Sequence, residues 1–361
     1  MQYAPTYYLL TFYKFVDITE PMAEVSAHKQ FCTDIGMKGR VYIGEEGISA
    51  TMTCNQGQMQ AYKQFLAQNK YFNDIPDIEV KVTHVEWHQF DKMIVKYRKE
   101  IVALGKVVTE SQVKSADKQI SIDEFKRIVE EEDKDWAILD MRNDYERQLG
   151  HFKGALPAGT INFKEVQELI QKYKEKLQDK KVAMYCTGGI RCEKLSVLLK
   201  EEWVENFYAL EWGVVKYTNV HNDGNRLGNL YTFDGRVSCD VVDDSIRQTV
   251  SNCIYTDVPT DNCENCRYSP CNARIIADPK EYRKHFWFCS QSCADHAMKD
   301  ILIKNIDRDS IDYKSLRGII KQDPTQKEAI LTKTANYIRK KLLHVTFRHQ
   351  EPQKEKVVME W

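Results

Sequence analysis

The chain is 361 residues long, carries 11 cysteines and sets 52 Lys and Arg against 53 Asp and Glu, for a net charge of −1. That length exceeds one ordinary core and implies two or three domains, and the charge balance excludes a global basic field, although a local patch can still bind nucleic acid. No apolar run approaches a membrane span and no basic-then-apolar leader opens the chain, so a soluble, cytoplasmic protein is expected; the odd cysteine count speaks for thiol chemistry or metal, not a disulfide framework.

Residues 1–108 read as a small α/β domain with a connector. "TYYLLTFYKF" (6–15) is a strand, "PMAEVSAHKQFCTDIGM" (21–37) a helix with Pro21 at its start, and "GRVYIGEEGISATMTC" (39–54) two strands about a Glu-Glu-Gly turn. "QMQAYKQFLAQN" (58–69) is helical and "IEVKVTHVEW" (78–87) a last strand, so the order β-α-β-β-α-β predicts a ferredoxin-like fold. A basic connector follows, with Lys92, Lys96, Arg98, Lys99 and Lys106, and the polar stretch 109–119 reads as a linker.

Residues 109–225 alternate helix and strand: helix 121–133, strand 136–142, helix 164–177, strand 181–186, helix 192–203 and strand 206–210. Short buried strands separated by helices predict a parallel sheet. Residues 226–361 turn irregular and cysteine-rich, and the tail from 301 reads as helical and basic, with 13 Lys and Arg against 8 Asp and Glu.

"VAMYCTGGIRCEK" (182–194) carries the chemistry. A loop between a parallel strand and the next helix lies at the carboxyl edge of the sheet, where ligands bind. Gly188 and Gly189 let backbone N–H groups converge into an anion nest, and the helix N-terminus and Arg191 add positive charge. Cys186 is therefore predicted to be an exposed loop thiol that ionises below its free value, with Thr187, Gly188, Gly189 and Ile190 forming the loop around it. Cys192 reads as a second catalytic or resolving thiol, or as a packed helix residue. A phosphatase cradle of the Cys-x5-Arg type would put its arginine at 192; here it stands at 191, the shorter ring of a persulfide-holding loop.

With "LDMRNDYE" upstream and "FKGA" (152–155) between, "YCTGGIRCEK" closely resembles the rhodanese-domain tRNA uridine hydroxylases, and "GRVYIGEEGISATM", "FDKMIVKYRKEIVALG" and "YTFDGRVSCD" extend the resemblance over most of residues 5–245. The resemblance implies a ferredoxin-like or acylphosphatase-like N-terminal domain, a rhodanese-like parallel-sheet central domain and a mainly helical or irregular Cys-rich C-terminal region. It also implies oxygen-dependent hydroxylation of the wobble uridine to 5-hydroxyuridine, with molecular oxygen as co-substrate and the tRNA anticodon stem-loop as partner. Cys186 takes the place of the family's active-site cysteine, and Asp140 and Arg142 that of its Asp-x-Arg strand end, as an ion pair tying loops together or as residues that position the thiol. Trp212 stands where relatives usually have a glycine, so the tight turn there is expected to be rebuilt and to border the pocket. The alternative is a sulfurtransferase carrying a persulfide on Cys186; a non-catalytic RNA-binding scaffold would leave the thiol loop unexplained.

No dinucleotide fingerprint and no two-His-one-carboxylate iron triad emerges, so no nucleotide cofactor is expected. Cys263-x2-Cys266 and Cys289-x3-Cys293, with 22 residues between Cys266 and Cys289, have zinc-ribbon-like spacing, with Cys271 and His285 as further candidates. Reduced thiols are the competing reading. Tyr7, Tyr8, Phe12, Tyr13 and Phe15 on the first strand read as core, or as a base-stacking platform. His151 reads as a loop-packing histidine.

Overall fold

A computed structural model describes residues 7–75, 81–160, 163–166, 173, 177, 179–202, 205–221, 225–239, 248–268, 270–271 and 273–300, with isolated positions between 325 and 348. Most of the expected helix 164–177, the start of the expected strand at 78 and nearly all of the basic tail lie outside these residues. The described chain forms two compact units, 1–143 with 152–225 and 231–239, and 144–151 with 226–230 and 240–361.

The first unit opens with β1 (Tyr7–Phe15), α1 (Pro21–Asp34), β2 (Lys38–Gly44), β3 (Gly47–Cys54), α2 (Gln56–Ala67), β4 (Lys81–Val85) and β5 (Met93–Tyr97). The strands lie in the order β4-β1-β3-β2-β5, the ferredoxin-like order with one strand added. β5 runs parallel to β2 and pairs Val95 with Val41, so the centre of the basic connector is a sheet edge and not a linker. Its single buried residue, Val95, faces the core, while Lys92, Lys96, Arg98 and Lys99 are exposed. Of the first strand's five aromatics Phe12 and Phe15 are buried in the core, while Tyr7, Tyr8 and Tyr13 are half-buried, Tyr8 and Tyr13 packed against apolar clusters. The β2–β3 hairpin turns on Glu45 and Glu46, and Gly47 (φ 139°) admits no side chain there because a Cβ would lie 2.0 Å from the Lys14 carbonyl oxygen.

The stretch 109–119 is likewise structured. Thr109 and Gln112 cap each other's backbone and start α3 (Glu110–Ala116), followed by β6 (Gln119–Ile120). Next come α4 (Ile122–Glu130), capped by Ser121, β7 (Trp136–Asp140), α5 (Asp144–Leu149), β8 (Gly150–Phe152) and β9 (Leu156–Pro157), of which α5 and residues 150–151 of β8 belong to the second unit. β10 (Lys181–Tyr185), α6 (Ile190–Glu201), β11 (Phe207–Leu210) and α7 (Gly213–Val220) complete the second layer of this unit. The sheet order β6-β11-β10-β7-β9 is parallel at every junction, as expected.

α6, the helix after the thiol loop, is buried on two sides. Cys192, Leu195 and Leu199 pack into the core of the parallel sheet, while Val197 joins Phe15, Ile101, Val108, Val113 and Ala116 in a separate apolar cluster. Lys194, between these faces, is fully buried, and its Nζ donates to Glu46 Oε1 (2.8 Å), Glu100 Oε2 (2.8 Å) and the Val102 carbonyl (2.9 Å). Glu46 also accepts from the amides of Ile101 and Val108, and Glu100 from those of Leu104, Gly105 and Lys106. One lysine thus fastens α6 to the hairpin turn and to the segment after β5.

The second unit contains β12 (Arg226–Gly228), β13 (Leu230–Tyr231, of which Leu230 belongs here), the antiparallel hairpin β15 (Cys263–Asn265) and β16 (Arg274–Ile276), α8 (Pro279–Lys284) and α9 (Gln291–Asp300); β14 (Ser238–Cys239) belongs to the first. Its core is small and holds five cysteines beside Tyr255, Tyr282 and Phe288.

Two outcomes follow from buried ionisable groups. Removing Lys194 strands the carboxylate of Glu46, so Lys194→Met should destabilise the first unit by about 3–5 kcal/mol in urea unfolding. His28 sits among Tyr62, Phe65 and Phe72, and burial, opposed only in part by its bond to the Glu24 carbonyl, lowers its pKa to about 4. The unfolded chain therefore takes up this proton first as pH falls, and stability contributed by neutral His28 is lost between pH ~6.5 and ~4, by about 3 kcal/mol in all. His28→Leu should flatten that part of the pH–stability curve, read by hydrogen exchange of α1.

Candidate active site

β10 ends at Tyr185, and the chain turns through Cys186, Thr187, Gly188 and Gly189 into α6. Gly189, with φ 100°, caps the helix, and a Cβ there would lie 2.7 Å from the Tyr13 hydroxyl and 3.6 Å from the Trp212 Cα. The turn aims the first free amides of α6 at the sulfur: Gly189 N–H donates to Cys186 Sγ at 3.1 Å, and the Arg191 and Cys192 amides donate to it as well. Of the nest expected from Gly188 and Gly189, the Gly189 amide is placed with two helix amides, and the group they surround is the Cys186 sulfur itself.

The loop's carbonyls face the other way. Cys186 O accepts from Val214 N (2.9 Å) and Thr187 O from Val215 N (3.1 Å), so the first turn of α7 holds them. Close approach needs Gly213, where a Cβ would lie 2.5 Å from Cys186 O. Trp212 caps α7 in the left-handed region (φ 62°), a conformation that costs a side-chain-bearing residue roughly 1–2 kcal/mol and glycine nothing. The rebuilt turn is thus a tryptophan held in a glycine's conformation, and it does border the thiol loop.

Cys186 has no exposed surface, contrary to the expected exposed thiol. Burial alone would push its pKa up; the hydrogen bond from the Cys192 thiol, the Arg191 charge and the amides of Cys192 and Arg191 outweigh it and hold Cys186 well below the ordinary thiol range. Cys192 is driven the opposite way, by burial and by its bond to the Cys186 sulfur. The two sulfurs are thus biased apart, Cys186 toward the thiolate and Cys192 toward the protonated thiol bonded to it. Arg191, 6% exposed, donates to Thr187 Oγ1 at 3.1 Å and lies 5.8 Å from the centre of the exposed Phe233 ring. Ile190, half-buried, packs toward the cluster around Val197.

Asp140 and Arg142 form a fully buried bidentate pair, Nε–Oδ1 2.9 Å and Nη2–Oδ2 2.6 Å, and Tyr185 donates its hydroxyl to Asp140 at 2.6 Å. Burial opposes the charge on Asp140, yet Arg142 and Tyr185 hold its pKa below the usual value. The network ties the ends of β7 and β10 together one residue before the sulfur. His151 Nδ1 bonds the Arg147 carbonyl, a local packing role.

The cysteine-rich segment departs from the expected ligand set. Cys266, Cys289 and Cys293 come together with Cys271, not with Cys263; all four sulfurs lie within 4.8 Å of one another and are buried. Cys263 pairs with Ile276 in β15, where burial pushes its thiol up to about 12. His285 stacks on Tyr255 at 3.8 Å and binds the Glu281 carbonyl, outside the cluster. Sequence reading also passed over Lys194, Glu46 and Glu100, although each lies inside a quoted motif; a charged pair in a tight hairpin beside apolar strands was the available signal.

Comparison with known proteins agrees with this architecture. Residues 7–101 match the UPF0176 acylphosphatase like domain, 121–220 the rhodanese-like domain and 227–294 the rhodanase C-terminal domain. The chain is 34% identical over 302 residues to the tRNA uridine(34) hydroxylase of Staphylococcus carnosus, an alignment covering 83% of this chain and 93% of that protein. The chain belongs to the tRNA uridine(34) hydroxylase family. Other members include those of Enterococcus faecalis (33% identity, 80% of this chain and 90% of that protein) and Bacillus velezensis (33%, 80% and 88%). The thiol loop of this family member lies within the rhodanese-like match, and Glu46 and Glu100 lie within the acylphosphatase-like one. Among the described residues no helix is long and apolar enough to cross a membrane.

The charge on Cys186 is open to direct measurement. Thiolate ultraviolet absorbance of the full-length protein should titrate well below pH ~8.5, the free thiol value. Arg191→Ala should move that midpoint upward, with Arg191→Lys restoring part of the shift; an unchanged midpoint would remove Arg191 from the field at the sulfur.

Proposed function

We propose that this chain hydroxylates C5 of the wobble uridine of tRNA with molecular oxygen, through Cys186. The observation that carries the proposal is a buried Cys186 sulfur that accepts from the Gly189 amide at 3.1 Å with the Cys192 thiol bonded to it, since the pair can hold both the nucleophile and the two electrons the reaction consumes. The Cys186 thiolate adds to C6 of the pyrimidine, and the electron pair moves to C5 and O4. Dioxygen accepts two electrons from C5 by stepwise transfer and, with one proton, becomes a C5 hydroperoxide. Loss of H5 expels Cys186 and restores the ring double bond. Transfer of the distal oxygen to one thiol leaves the 5-hydroxyl and a sulfenic acid, which the other thiol converts to a Cys186–Cys192 disulfide and water. The balance is uridine, dioxygen and two thiols giving 5-hydroxyuridine, one disulfide and water; a dithiol reductant of the thioredoxin class resets the pair.

Arg191 supplies positive charge where O4 becomes negative. Because the sulfur is fully covered, the base, turned out of the anticodon loop, is admitted by movement of side chains above the loop, with Trp212, Tyr13 and Phe233 offering aromatic faces nearby. The exposed Lys92, Lys96, Arg98 and Lys99 along β5 supply a sequence-independent phosphate track for the anticodon stem-loop. The reaction belongs to the cytoplasm, where tRNA is used.

In cells lacking the native enzyme, Cys186→Ser should leave tRNA without 5-hydroxyuridine in nucleoside analysis, and Cys192→Ser should limit turnover unless external thiol is added. A 5-fluorouridine anticodon stem-loop should form a covalent adduct on Cys186 by intact mass. Activity in Cys186→Ser, or thiosulfate–cyanide transfer in place of hydroxylation, would overturn the reading in favour of another role for the loop.

A further inference from the structure

We infer that Cys266, Cys271, Cys289 and Cys293 hold one structural zinc ion that organises the second unit. The four sulfurs are mutually within 4.8 Å, with Cys271–Cys289 at 3.8 Å and Cys289–Cys293 at 3.5 Å. These distances are far too long for a disulfide, which needs about 2.05 Å. They match a tetrahedron of thiolates around zinc, whose bond length of about 2.3 Å separates the sulfurs by about 3.8 Å. A two-iron or four-iron cluster spreads its outer thiolates by the breadth of its own core, more than this group allows. All four ligands are protein thiolates, which leaves no open position, so the centre is structural and not catalytic.

Two separate pieces of chain deliver the ligands. Cys266 leaves β15 with its amide bonded to the Ala273 carbonyl at 2.8 Å, and Cys271 lies in the turn that returns to β16, where the Ala273 amide donates to its sulfur. Cys289 and Cys293 open α9, fixed by Ser290, whose hydroxyl oxygen accepts from Cys293 N at 3.1 Å. Such bonds orient thiolates around a metal. The ion joins a three-residue hairpin to a helix, elements too short to be stable alone. Cys263, three residues before Cys266 and committed to the ladder, is outside the set.

The test uses full-length protein purified without chelator. Elemental analysis should give about one zinc per chain, and titration of the intact protein with an organomercurial should release it as four protected thiols react. Cys271→Ser should lower zinc content by about ten-fold, while Cys263→Ser keeps it. Absence of zinc, iron in its place, or retention in Cys271→Ser would overturn the assignment, as would loss in Cys263→Ser. The mercurial titration needs only the wild type, so the inference stays decidable if Cys271→Ser fails to fold.

Discussion

The structure depends on a ring of donors around the Cys186 sulfur, which has no exposed surface. A buried thiolate is expensive unless donors surround it, and here they are the amides of Gly189, Arg191 and Cys192 and the Cys192 thiol, with the Arg191 guanidinium adding its charge. Each donor belongs to the first turn of α6 or the loop before it, so the position of that helix sets the acidity of the thiol. The neighbouring elements can be understood as ways of holding it still. α7 binds the loop carbonyls from the opposite side, and the Asp140–Arg142–Tyr185 network fixes the strand end from which the loop springs.

That arrangement separates the two thiols by role. They share one bond and are driven in opposite directions, so protons leave them as a pair, and an apparent titration belongs to both. The same bond places the sulfur that must receive an oxidised partner already beside it. Cys32 and Cys54 behave otherwise: both are pushed up to about 12 by burial in the ferredoxin-like core.

Much of this was legible in the chain. Regular alternation gave β1 to β4 of the first sheet and β7, β10 and β11 of the parallel one, without β5, β6 or β9, and the Gly-Gly-x-Arg spacing after a buried strand located the thiol. What escaped reading depended on partners distant in sequence. The stretch 109–119 is polar because α3 offers only Val113 and Ala116 to an apolar cluster, too little periodicity to register as a helix. β5 carries one fully buried residue among charges, as an edge strand does, and so looked like a connector. Burial of Cys186 follows from surrounding helices that no local pattern reveals. Cys271 stands in the sequence only as a further candidate, because an x4 spacing resembles a knuckle less than x2, and it is the hairpin turn that brings it to the cluster in place of Cys263.

The three domain matches suggest modules that could be exchanged between proteins, but the wiring around Lys194 contradicts that division. A rhodanese-like module cut away at residue 121 would keep the lysine and lose Glu46, Glu100 and the Val102 carbonyl, exposing a cation shaped for a dry interior. The severed acylphosphatase-like module would keep Glu46, bound by the Ile101 amide yet deprived of its counter-charge. Neither fragment is a self-contained inheritance unit. The reactive loop's helix belongs chemically to both.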